Sequence, residues 1–591
     1  MKKYRFLFFC LLLTTCFFTV VSNAAIRYVK PVATGSGSGA NWTNASGNLQ
    51  AMINASIADD QVWVMAGTYK PADYPTGGTG GLSNRDNAFV LKNGVKIYGG
   101  FVGNEISLAA RTSAVIIANP SILSGDIGII NDVSDNVFHV IYSVSDNAST
   151  VLDGFIITKG NSNGSNYMTI ETKEVNRNTG GGMVLVSSNP TISNCIVTSN
   201  SASFYGGGIF NSTSSPILSK CTISSNNASQ YGGGLYNSTA SSPSISECFF
   251  NLNTANFYGG GIFNSESSAP AISKCVFSSN STSTNSGSYG GGVYNTESKP
   301  TITNCVFTSN SSHSGGGIVN ANSSDIVLTN CIFNANISNF GGGVFNLGAS
   351  PIITNCTFFS NTSASNGGGG GIYNRRTDLI ATNVKVQNCI FWKNTKNTFI
   401  GSIGADIENL SPAIVTVTNT ALQLQNSTDN YPISGFLGLG TGNLYEVDPL
   451  FVASGNPIGT DNIWITEDDG LILQNCSPAI NVGNNTHNLL PSDITNIANT
   501  RIKNTTIDLG AFENQFGTMT VSISQNPNTA FICKGTSVTF TASPTNVGLR
   551  PMYDFQINNV SIQKSSAATF TTSTLLDGDV VNVILTSAPI V

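Results

Sequence analysis

Between residues 180 and 394 the sequence holds five carboxylates, Glu247, Glu266, Glu297, Asp325 and Asp378, and two of them recur at one position of a repeat. Glu266 and Glu297 each stand two residues past the asparagine that closes a G-G-G-x-x-N motif. If consecutive repeats stack as parallel coils, the two Cα atoms lie about 5 Å apart. That is near the separation of the carboxyl groups in a retaining glycosidase, and close enough to raise one pKa. The competing reading, two solvated turn glutamates that splay apart, is preferred. A second place for chemistry is a pair of insertions, residues 70–88 and 160–178, which carry Asp73, Asp86, Glu171 and Glu174. The three histidines, His139, His313 and His487, are scattered. Lys220, Glu247 and Lys274 each precede a repeated cysteine and form an exposed stack that helps pin register but contributes little energy.

The elements that must position these groups are set by the repeat itself. It reads P-x-I-[S/T]-x-C-x-[I/V/F]-x-x-N, a variable turn, then G-G-G-[I/L/V]-[F/Y]-N, eight times from Gly180 to Asn394. A period of this length marks a solenoid. Cys195, Cys221, Cys248, Cys275, Cys305, Cys331, Cys356 and Cys389 fix the register, each with an asparagine five positions later. The apolar positions alternate over short distances and are rich in Ile, Val and Phe, which predicts strands. Bends at Ser219-Lys220, at the asparagine five past the cysteine, and after the asparagine of G-G-G-x-x-N predict three short strands per coil of roughly 26 residues. The bend asparagines are expected in the left-handed conformation, bonded to their copies in the next coil. Glycine triplets are expected where the backbone turns or packs closely.

Stacking puts like side chains over like. The cysteines then form a column of buried free thiols, preferred over bridged pairs because parallel Cβ vectors fit the disulfide dihedral badly. A linear column also cannot wrap zinc tetrahedrally. If Ile209 and its equivalents face inward, then Phe210, Tyr236, Phe263, Tyr294, Phe345 and Tyr373 line the outside, interrupted by Val319. Such a stripe stacks on sugar rings or docks a partner; opposite parity would put it in the core. Asn48 to Ala58, with Leu49, Ile53 and Ile57 four apart, reads as a short amphipathic helix that caps the first coil.

The repeats resemble those of right-handed parallel β-helix proteins, and G-G-G-I-F-N with C-x-F-x-x-N resembles polymorphic outer membrane proteins. Tyr28-Val29-Lys30-Pro31, Val62-Trp63-Val64 and Leu152-Asp153-Gly154-Phe155 look like the opening of secreted bacterial β-helix proteins. Asp448-Pro449-Leu450-Phe451, Ser477-Pro478-Ala479-Ile480 and Asp508-Leu509-Gly510-Ala511-Phe512-Glu513 resemble their closing segment. The resemblance implies an all-β chain, a pectin-lyase-like right-handed parallel β-helix over residues 25–515. It also implies polysaccharide lyase or glycoside hydrolase activity as one alternative. The Gly-His-Gly and paired-Asp motifs of polygalacturonases are missing, and Arg501-Ile502-Lys503 copies a polygalacturonase tripeptide without its partners. Beyond Phe516, Cys533-Lys534-Gly535-Thr536-Ser537-Val538, Tyr553-Asp554-Phe555 and Gly578-Asp579-Val580-Val581 resemble an immunoglobulin-like β-sandwich, residues 516–591, lacking the usual partner for Cys533. No further sorting domain follows Val591, which leaves open that the sequence is a fragment.

Only 10% of the residues are charged and the net charge is −6, which leaves no basic footprint for nucleic acid. Lys2, Lys3 and Arg5, an apolar run from Phe6 to Val21 and the exit Ser22-Asn23-Ala24 predict a secretory signal peptide over residues 1–24. No second apolar run long enough to span a membrane follows. The sequence therefore predicts a secreted or cell-surface, outer-membrane-associated β-helix acting as a non-catalytic adhesin or scaffold. Polysaccharide or cell-surface proteins are the expected partners, and no catalytic residue, cofactor or metal is assigned.

Overall fold

The computed structural model describes residues 24–587 apart from 76–77, 81–82, 365–367, 378–381, 398, 401–404, 411–412, 424–432, 435–436, 489, 496–498, 516–519, 530 and 546–550. The expected signal peptide lies outside these residues except for Ala24, as does Asp378. The repeats wind into a parallel β-helix. One coil runs through Ile209–Ser212, Ile217–Ser219, Thr222–Ser224 and Asn227–Ala228, and each strand pairs in parallel with its copies in the neighbouring coils. Collecting equivalent strands gives a first sheet of 14 strands, a second of 13 and a third of 12. The coil thus has a fourth, two-residue strand beyond the three expected. It arises because the chain bends just before the ladder asparagine and then turns one more small residue, Ala228 or its equivalent, inward.

The bends fall where the residue types allow, with one correction. Lys220 and its copies before each cysteine adopt positive φ, 53° at Lys220, as the first bend predicts. At the second bend the left-handed residue is Ser225 (φ 53°), not Asn226. The asparagine is freed to point inward, and Asn226 is fully buried. Its Nδ2 donates to Asn253 Oδ1 of the next coil at 3.0 Å and to the Val197 carbonyl of the preceding coil at 2.8 Å. The same amide-to-amide bond, 2.9–3.1 Å long, runs from Asn200 to Asn394. A second buried ladder joins Asn211, Asn237, Asn264, Asn295, Asn320, Asn346, Asn374 and Asn409 at 2.7–2.9 Å. Each asparagine satisfies a neighbour's amide, so a buried polar column carries little desolvation cost.

Between the ladders lies one continuous core. Ile192, Leu218 and Ile245 line the first sheet, the eight cysteines sit at the first bend, and Phe250, Phe277, Phe307, Phe333, Phe358 and Phe391 line the second sheet. Those six rings stack at 4.5–5.0 Å, the spacing of the coils themselves. All eight cysteines are buried free thiols. Glycine is required where the third sheet begins. Gly232 takes φ +67°, and a Cβ on Gly233 would meet the Thr254 carbonyl at 2.3 Å.

A helix, α1 (Leu49–Ala55), packs against the strand Ile26–Val29 and buries Leu49 and Ile53 in the core. Asn48 caps it by accepting from the Ala51 amide. The helix ends before Ile57, which is exposed, so two of the three expected cap residues are used. At the other end, a closing segment that includes Phe451, Leu471, Leu473, Ala479, Leu509 and Phe512 packs on the outside of the second sheet over Val306, Ile332 and Ile390. Arg501 clasps this segment down. It is wholly buried, paired with Glu513 at 2.8 Å, and donates to Asn330 Oδ1 and the Gly510 carbonyl. Burial pushes the Asp508 and Glu513 carboxyls up, and Arg501 opposes it. The polygalacturonase-like tripeptide is thus a structural clasp. Separately, the described residues between 520 and 587 form two three-stranded antiparallel sheets over a core of Val538, Phe540, Tyr553, Phe555 and Phe570.

Two outcomes follow from the ladders. Asn280→Ala removes the acceptor of Asn253 and the donor to the Phe250 carbonyl, and is expected to cost about 1–3 kcal/mol. Hydrogen exchange should show the loss concentrated in adjacent coils and fading along the stack. The first ladder ends on a carboxylate, Asn394 donating to Asp406 Oδ1 at 3.0 Å. Burial raises Asp406 from 3.8 to about 7. A raised carboxyl contributes stability that is fully present below 3.8 and lost as pH rises through about 7. Thermal unfolding monitored from pH 4 to 8 should therefore show protection of the coils around Asn394 declining with pH, and Asp406→Asn should flatten that dependence.

Candidate functional site

Glu266 and Glu297 do stack in register, because Asn264 pairs with Asn295. Both occupy left-handed turn positions, φ 52° and 50°, and both are exposed. They do not form a dyad. Glu266 Oε2 turns toward the preceding coil, where it accepts from the Thr239 amide at 3.1 Å and its hydroxyl at 2.9 Å.

The insertion acids are likewise tied to the scaffold. Asp86 and Arg177 form a buried ion pair at 2.6 Å that locks the two insertions together. Glu171 sits at the tip of the hairpin Tyr167–Ile170/Lys173–Asn176, Glu174 is exposed on its second strand, and Asp73 accepts weakly from Asn48 at 3.5 Å. His139 is buried against the Gly180 carbonyl, and burial lowers it to about 4, so it is neutral and enclosed at physiological pH. His313 packs at 5.6 Å on Phe340, and His487 lies in a surface turn. Of the basic and acidic stack, Lys220 and Glu247 pair at 4.0 Å. Among the described residues no group of three His, Cys, Asp or Glu is placed to hold a metal, and no helix is long and apolar enough to cross a membrane.

The aromatic column is the most distinctive outward feature. Ile209 and its equivalents face the core, so Tyr236, Phe263, Tyr294, Val319, Phe345 and Tyr373 point outward from the third sheet, as the parity predicts. The expectation that they are exposed is corrected. A second column, Tyr205, Tyr231, Tyr258, Tyr289 and Phe340, each the residue just before a glycine triplet, folds back over them. Tyr231 stacks on Tyr258 at 4.8 Å and on Phe263 at 5.2 Å, and Tyr258 stacks on Tyr294 at 4.8 Å. At one end the insertion hairpin covers the same face with Met168, Ile170 and Val175 over Tyr142 and Val184. Burial pushes the Tyr236 phenol up to about 12 and raises Tyr205 and Tyr258 as well. Ser265 donates to the Tyr236 hydroxyl at 3.2 Å beside Glu266.

What this arrangement leaves open is its rim. Phe204 and Phe257 are 39% and 47% exposed. Each meets the ladder edge to face: Phe204 lies 5.7 Å from Tyr205 at 87°, and Phe257 lies 6.4 Å from Tyr258 at 62°. Sequence reading missed both the second column and this rim. The signal was present as an aromatic residue directly before five of the triplets, but the variable turn concealed that it folds inward.

Residues 92–285 match the family model described as right handed beta helix region. The stacked parallel sheets are accordingly a right-handed parallel β-helix. A search of the curated proteins finds no match. Among solved structures, the pectate lyase Pel9A is 13% identical with a TM-score of 0.40, over 84% of this chain and 97% of that one. The catalytic unit of a thermostable GH87 alpha-1,3-glucanase from Streptomyces thermodiastaticus is also 13% identical, with a TM-score of 0.38, over 72% of each chain.

Replacing Glu266 and Glu297 together by Gln should change unfolding free energy by less than about 0.5 kcal/mol, as at an exposed site. Chemical denaturation of the double variant beside the parent measures this directly.

Proposed function

We propose that this protein is a secreted or surface-displayed β-helix that acts as a non-catalytic adhesin or scaffold and recognises partners along the edge of its third sheet. The observation that carries the reading is the aromatic double column with its exposed rim. Exposed apolar side chains that persist beside a packed ladder mark a contact surface. The acids that the sequence offered for catalysis support the same view, since Glu266 caps a turn and Asp86 is spent on Arg177. The signal-like N-terminus and the low, dispersed charge fit display outside the cell. We read residues 516–591 as an immunoglobulin-like module of the kind that spaces surface domains from their anchor.

A polysaccharide depolymerase screen on the full chain, with and without calcium, should give no cleavage of pectin, alginate or similar polymers. A glycan array run in parallel should give binding without turnover. Turnover of any polymer would replace the scaffold reading with that of a lyase or hydrolase.

A further inference from the structure

We infer that Phe204, Gln230 and Phe257 form a short trough for an extended, neutral, β-linked polysaccharide chain lying parallel to the helix axis. The inference deepens the recognition reading above and rests on it. The three residues are in register: the Gln230 amide donates to the Phe204 carbonyl at 3.1 Å, and the Phe257 amide donates to the Gln230 carbonyl at 3.0 Å. The two phenylalanines are therefore two coils apart, about 9.6 Å at the parallel-strand spacing. Two rings of an extended β-1,4 chain advance by a comparable length. Alternate sugars can then rest on the two phenylalanines while the Gln230 amide bonds hydroxyls of the sugar between them.

Ring orientation supports this direction of binding. The tyrosine ladder stacks along the helix axis, so its faces are already covered by its own members. Phe204 and Phe257 stand steeply across those planes, so their own planes run along the axis and offer a face to a chain lying that way. The trough also has a boundary. The coil after Phe257 carries extra residues, and Ser288 of that longer turn donates to the Asn256 carbonyl at 3.0 Å, closing one end. Charge selects a neutral ligand. The charges nearest the trough are few and engaged: Lys220 pairs with Glu247 at the bend between the first and second sheets, Arg177 is buried on Asp86, and Glu266, near enough to raise Tyr205, accepts from Thr239. The polar groups beside the trough are amides and hydroxyls, with Asn227 Nδ2 donating to Thr254 Oγ1 at 2.7 Å and Asn256 exposed.

The test is a calorimetric titration of the full chain with cellulose-derived oligosaccharides of one to five sugars. Affinity is expected to rise by about tenfold between the disaccharide and the trisaccharide, where the second platform is engaged, and to level off beyond the tetrasaccharide. Phe204→Ala and Phe257→Ala should each lower tetrasaccharide affinity by about tenfold and remove the length step. Phe531→Ala, at an exposed position in the C-terminal module, should change nothing. Unaltered thermal unfolding of the rim variants shows that they fold, as expected for exposed side chains. Absence of length-dependent binding, or equal affinity in parent and rim variants, overturns the trough and leaves the non-catalytic reading intact. Cleavage of the tetrasaccharide that both rim variants weaken overturns the non-catalytic reading and supports the trough.

Discussion

The structure depends on coils stacking in register, which places nearly every side chain directly over a copy of itself about 4.8 Å away. This constraint selects residues that tolerate their own kind. Amides do, because each donates and accepts; flat rings do, because they stack; small apolar thiols do, because they need no partner. Charged groups do not, since like charges held opposite each other repel. The scarcity of acids and bases along the repeats is therefore a condition of the fold before it is a statement about catalysis. Glu266 and Glu297 are tolerated at adjacent levels because they sit at exposed turns and Glu266 faces Thr239.

The same constraint locates function in departures from the period. A strictly repeated face satisfies itself, as the tyrosine ladder shows: its rings cover one another and leave edges to solvent. Distinct surfaces arise where a position breaks the pattern, as at Phe204 and Phe257 with Gln230 between, or where a coil is lengthened, as at residues 283–288. The insertion hairpin and the closing segment act in the same way at the two ends, each covering one outer face and leaving the coils between them open.

Much of the fold was legible because a repeat supplies its own alignment. The cysteine register, the inward parity of Ile209 and Ile223, the bend at Lys220 and the capping helix could all be read from spacing. The misplacements share one cause. Which of two adjacent residues takes the left-handed turn, Ser225 or Asn226, depends on whether the amide finds a buried partner, and that partner lies some 27 residues away. The covering of the aromatic column likewise depends on how a variable turn folds back, which no local pattern encodes. Arg501 looked like an isolated tripeptide because the groups it holds, Asn330 and Glu513, are brought together only by the closing segment.

The asparagine ladders also have a direction. In both ladders each side-chain amide gives one hydrogen to the asparagine of the next, C-terminal coil, and in the first ladder the other hydrogen goes back to a carbonyl of the preceding coil. The bond dipoles thus add head to tail, and such chains polarise one another. Among the described residues the second ladder leaves Asn211 Oδ1 and Asn409 Nδ2 without a partner, acceptor at one end and donor at the other. The solenoid therefore carries two parallel chains of amide-to-amide bonds, each with its donor end at the C-terminal coils. Asp406 sits at that end of the first ladder, where the hydrogen bond from Asn394 favours its charged form and partly opposes the burial that raises it.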